Sequence, residues 1–140
     1  MNADRITSIL ERVSERCDDP VPIVYRHLFA KYPEVEPLFV LDRDQSVHGH
    51  MLFEIFECIF DYLGERKFAQ DFILSEMHTH DGIGVSPTIF SEFFYVMGDA
   101  FREILGEEWS PEMSADWNQL AGNLSQLVSR HHRESMAAIA

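Results

Sequence analysis

The chain is poor in the features that would commit it to several common roles. It has two cysteines, Cys17 and Cys58, with no CxxC pair and no zinc-ligand spacing, which sets aside both a disulfide scaffold and a structural zinc site. They read as buried thiols in a reducing cytoplasm. Positive charge is scarce: 11 Lys and Arg stand against 24 Asp and Glu, for a net charge of −13. A surface of that sign repels nucleic acid and anionic membrane, so neither is expected as a partner. No apolar run approaches the roughly 20 residues that span a bilayer. The opening MNADRITSIL lacks the basic region and apolar stretch of a signal peptide, so the expected location is cytoplasmic. No stretch alternates apolar and polar residues between turn signals, which argues against strands. Internal repeats, low-complexity segments and long linkers are missing too, so one domain over residues 1–140 is expected.

What the chain does have is helical periodicity and phenylalanine. Apolar residues make up 46% of the sequence, enough for a core, and 11 of them are Phe, side chains that must pack against something large or flat. The spacing predicts a first helix over about 3–17, with Ile6, Ile9, Leu10 and Val13 on one face. DDPVP breaks it, and a second helix starts near Pro20 or Pro22, turning Val24, Tyr25 and Leu28 inward before it stops at Pro33. PEVEPLF reads as a short helical turn and LDRDQS as a polar loop. A third long helix over about 44–64 presents His48, Leu52, Ile55, Phe56, Ile59 and Leu63. A shorter one over about 67–80 presents Phe68, Phe72, Ile73, Met77 and His80. After the DGIGVS break, Ser86-Pro87 opens a helix to about 105, striped with Phe90, Phe93, Phe94, Met97, Phe101 and Ile104. Ser110-Pro111 caps the last helix, whose stripe is Trp117, Leu120, Leu124, Leu127 and His131. The fold class is all-α, with about seven helices.

Two histidines fall on these apolar faces, His48 and His80. Their near neighbours do not: His50 points about 200° away from His48 around its helix, and His78 lies off the stripe that holds His80. A lone inward histidine is more often a satisfied core residue than a ligand. Two of them, set among many phenylalanines, suit a flat macrocycle such as haem, which needs an imidazole on its iron, a second polar group opposite and an apolar slot around it.

Three segments carry a family resemblance: YRHLFAKYPEVEPLF (25–39), HTHDGIGVSPTIF (78–90) and LGEEWSPEMSADWNQLAGNLSQL (105–127). In combination they resemble the globin family over nearly the whole chain, and most of all the single-domain bacterial haemoglobins and the haem domain of flavohaemoglobins. The resemblance implies a globin fold, a three-over-three helical sandwich around a haem pocket, and haem b (iron protoporphyrin IX) as cofactor. It makes His80 the proximal iron ligand, because the family's histidine stands five residues before Ile or Val and seven before Pro, as His80 does before Val85 and Pro87. Phe39 matches the phenylalanine that wedges against the haem. Tyr25, fourteen residues earlier, matches the distal tyrosine and Leu52 the distal leucine. His48 falls at the distal glutamine or histidine, where it is either a hydrogen-bond donor or a second iron ligand. The loop between Phe39 and His48 is one residue shorter than in the flavohaemoglobins.

Two departures bear on chemistry. Where the flavohaemoglobins place a tyrosine and a glutamate behind the proximal histidine, this chain has Phe90 and His132. A carboxylate there would make the imidazole more basic and push electron density toward iron; that push is not expected here. No flavin or nicotinamide domain follows in the sequence, so any reductase is expected to be an external protein. Three functions stay open. One is a globin that binds oxygen, nitric oxide or carbon monoxide, for storage, transport or sensing. A second is a nitric oxide dioxygenase served by an external reductase. The third is a haem-free interaction domain. A homodimer is the remaining partner to consider. The reduced proximal push favours gas binding.

Overall fold

The computed structural model describes residues 1–39 and 46–139, with positions 46 and 47 described by their backbone alone. Six α-helices and two 3-10 segments make up the described chain: α1 (Ala3–Arg16), α2 (Val21–Lys31), a 3-10 segment (Pro33–Phe39), α3 (Ser46–Leu63), α4 (Ala69–Gly82), α5 (Pro87–Leu105), a 3-10 turn (Gly106–Glu108) and α6 (Pro111–Ala138). The expected start of α3 near Asp44, and most of the LDRDQS loop, lie outside the described residues.

Local sequence accounts for most of the boundaries. The Ser86 hydroxyl accepts from the Ile89 N–H at 3.3 Å and the Ser110 hydroxyl from the Met113 N–H at 3.1 Å. Each serine thus satisfies one amide of the first turn, with proline at the next position, where no N–H is needed. Helix α2 ends at Tyr32 because Pro33 cannot continue it.

Helix α4 begins two residues later than its periodicity predicts. Asp61, at the end of α3, accepts the backbone N–H groups of Lys67, Phe68 and Ala69 at 3.0, 2.9 and 2.7 Å. That grip holds Phe68 ahead of the helix and leaves its ring 46% exposed, where the stripe had placed it in the core. Partial burial pushes the Asp61 carboxyl up, but the N–H bonds from Phe68, Lys67 and Ala69, together with the Lys67 charge, outweigh this and hold it below the usual carboxylate range.

The helices stack as a three-over-three sandwich, the globin fold. α1, α3 and α4 form one layer, and α2, α5 and α6 the other. The apolar face of α1 (Ile6, Ile9, Leu10, Val13) is fully buried between the layers, as its spacing predicts. The longest seam is between α5 and α6. There Gly98 lets the Trp117 indole lie against the α5 backbone, and Trp117 Nε1 donates to the Phe94 carbonyl at 2.8 Å. On α6 the core register runs Trp117, Leu120, Leu124, Val128. Val128 is buried there and Leu127 only partly, while His131, at the same helical angle as this register, is half-buried. No helix among the described residues is long and apolar enough to cross a membrane.

Candidate functional site

A cleft enclosing about 780 Å³ of empty space, its mouth included, opens between α3, α4 and α5 and is backed by α2. Its walls are mostly aliphatic and aromatic: Leu28, Val35, Phe39, Met51, Ile55, Phe72, Ile73, Val85, Ile89, Phe90, Phe93 and Phe94. Polar groups are few, namely Tyr25, Cys58, Glu54, Glu76 and His80.

His80 sits in the last turn of α4, where its ring half-emerges into the cleft. Its Nδ1 lies 2.7 Å from the Glu76 carbonyl one turn earlier. A carbonyl can only accept, so Nδ1 carries the proton and Nε2 is left with a lone pair. The Glu76 carboxylate comes no nearer to Nδ1 than 3.8 Å, beyond hydrogen-bond range. The Phe90 ring rests against the imidazole at 5.2 Å between centroids and limits its rotation. Two backbone bonds close the helix behind it, from the Ile83 and Val85 N–H groups to the His80 carbonyl at 3.1 and 2.9 Å. The bend passes through Gly84, whose φ of +98° lies where side-chain-bearing residues are strained, and it returns Val85 to the cleft wall.

Tyr25 of α2, 2% exposed, lines the same cleft. Its ring meets Phe39 edge-on at 5.5 Å and Phe93 at 5.7 Å. The hydroxyl donates to the His48 carbonyl at 3.3 Å, long for a bond of this kind. Cys58 borders the same space with its thiol toward the Ala69 carbonyl at 3.7 Å, and burial pushes that thiol up to about 12. It is protonated at neutral pH.

Of the residues singled out from the sequence, the structure brings Tyr25, Phe39, His80, Val85 and Phe90 to one cleft. It does not bring His48 and Leu52 to that cleft. Helix α3 turns Met51, Glu54, Ile55 and Cys58 toward it. At about 100° per residue, His48 and Leu52 lie roughly 60° and 100° around the helix from Met51. Leu52 is buried in the general core. The His48 ring is 5% exposed and packs on Phe39 at 4.2 Å and on Tyr25 at 4.4 Å, facing a separate outer cleft with Phe29, Pro33 and Pro37. Sequence reasoning missed Met51, Cys58 and Glu76 as lining residues. The first two form an i, i+4, i+7 set with Ile55 that the helical pattern permits as readily as the set chosen. His78 lies outside the cleft, its Nε2 3.0 Å from that of His131 on α6.

The donor set suits haem. One imidazole, its Nδ1 engaged by the Glu76 carbonyl, stands in an apolar slot with a broad aromatic lining. The globin family model matches residues 23–128, a span that contains every residue of the cleft. No curated protein and no solved structure matches the chain.

Proposed function

The chain belongs to the globin family, whose members typically hold haem and bind diatomic gases, and we propose that this protein binds oxygen reversibly on haem b held by His80. Among globins we place it with the single-domain bacterial haemoglobins, on the spacing of Tyr25, Phe39 and His80. The observation that carries the reading is the 2.7 Å contact of His80 Nδ1 with the Glu76 carbonyl, which assigns the proton to Nδ1 and leaves Nε2 as the ligand atom.

When bound, haem supplies an iron centre that takes a small gas as a further ligand. The rest is the work of this chain's residues. Val85, Phe90 and Phe94 wall the side that holds His80, and Phe39 and Phe93 exclude water around the Tyr25 ring. Tyr25 is the one lining hydroxyl among the described residues. Its hydroxyl donates to the His48 carbonyl, and a polar guest in the cleft would compete for that proton. Oxygen draws charge from iron more than carbon monoxide does, and it therefore gains more from such a donor. Nitric oxide dioxygenation with an external reductase is the less favoured reading. Nδ1 donates to a neutral carbonyl rather than a carboxylate, and Phe90 offers no hydroxyl, so the imidazole gains little anionic character.

The test is Tyr25→Phe. Loss of a donor worth about 1–2 kcal/mol should raise the oxygen dissociation rate roughly tenfold, with a much smaller effect on carbon monoxide. An equal change for both gases would mean that the side chain acts by bulk alone.

A further inference from the structure

Outside the haem cleft, one pair of side chains has no role in the reading above. His78, near the end of α4, and His131, on α6, bring their Nε2 atoms to 3.0 Å, with ring centroids 5.1 Å apart and planes at 74°. One Nε2 must donate to the other, so the two rings share a single proton between lone pairs that already face each other. His78 is exposed and His131 half-buried, so both are reachable from solvent. We propose that His78 and His131 form a two-imidazole site for a divalent transition-metal cation, which replaces the shared proton and staples α4 to α6.

The distances fit that chemistry. With metal–imidazole bonds of about 2.0–2.1 Å, two nitrogens stand about 2.8–3.0 Å apart at a right angle and about 3.3–3.4 Å apart at the tetrahedral angle. The observed 3.0 Å matches adjacent positions of a square-planar or tetragonal ion and is a small side-chain rotation from the tetrahedral value. Copper(II) is the tightest expected occupant, by both geometry and the usual affinity order, with zinc(II) below it. Asp81 and Glu134 each follow a ligand by three residues on its own helix, a spacing that puts a carboxylate on the same side of that helix. The net charge of −13 draws cations to the surface as a whole. No cluster of three or more metal-ligating side chains occurs among the described residues, so water completes the coordination.

The experiment is a titration of the purified full-length chain with copper(II) chloride, followed by calorimetry and by electron paramagnetic resonance. One tight equivalent is expected, with hyperfine coupling to two imidazole nitrogens. His78→Ala and His131→Ala should each weaken it roughly tenfold or more and leave one coupled nitrogen. The double variant should lose the site, while His27→Ala should keep it. Zinc(II) should raise the thermal midpoint of the parent more than that of either single variant. Circular dichroism of the metal-free variants checks that their helix content is unchanged. Binding that survives either substitution with its two nitrogen couplings intact would overturn the proposal. So would the lack of any tight equivalent in the parent; the contact would then be a hydrogen bond between imidazoles and nothing more.

Discussion

At the scale of single residues, what distinguishes this cleft is which atoms are left over once local bonds are made. His80 gives its Nδ1 proton to the Glu76 carbonyl and keeps a lone pair on Nε2, while Cys58 keeps its proton because burial pushes its thiol up to about 12. One imidazole nitrogen is thereby offered to the cleft. The wall contributed by α3 can be tested directly. Met51 lines the cleft, and Leu52, 3% exposed, belongs to the core. Met51→Ala should widen the pocket and speed carbon monoxide association. Leu52→Ala should leave that rate nearly unchanged but cost about 2–5 kcal/mol of stability. Flash photolysis and denaturant titration read the two effects, and the reverse pattern would mean that α3 is rotated from its position here. This is also where sequence reasoning reached least far. His80 and Phe39 were legible because fixed spacings tie them to Val85, Pro87 and Tyr25 within short segments. The α3 positions hang on the length of the loop before the helix, and a shift of one residue there turns the face by about 100°.

At the scale of elements, two junctions set the geometry around the cleft. The first is the start of α4. Asp61 grips the amides of Lys67, Phe68 and Ala69, and the helix that starts there ends at His80. Because these bonds hold the Asp61 carboxyl below its ordinary value, their stabilisation is fully present above the usual carboxylate range and is lost as pH falls through the lower folded value. Hydrogen exchange at residues 67–69 should therefore stay protected down through the ordinary range and open only below it. In Asp61→Ala those amides should be unprotected throughout, and protection that persists in this variant would contradict the cap. The second junction is the α5–α6 seam. A Cβ added at Gly98 would meet Trp117 Cδ1 at 2.5 Å. Gly98→Ala should cost about 1–3 kcal/mol and alter the tryptophan fluorescence, with the thermal midpoint as the measure. The serine caps of α5 and α6 were legible, since each lies within three residues of the amide it satisfies. Asp61 was not, because its partners lie six to eight residues away and the apolar spacing alone counted Phe68 as core.

At the scale of the whole molecule, two layers of helices leave an aromatic-lined cleft next to α4, and the globin family model spans every residue of it. The all-α class and the faces of α1, α2 and α5 were legible because long amphipathic patterns determine them jointly. The meeting of His78 with His131 was not, since it depends on how the ends of two helices separated by more than fifty residues come to rest. The central claim is that His80 alone holds the haem iron from the protein side. It is tested most directly by the absorption spectrum of haem-reconstituted His80→Gly, with and without added imidazole. The parent should hold a stable Soret band, the variant should lose it, and free imidazole occupying the vacated space should restore it. A His80→Gly protein that keeps the parent's ferrous and ferric spectra without imidazole would contradict the account and require another residue as the ligand.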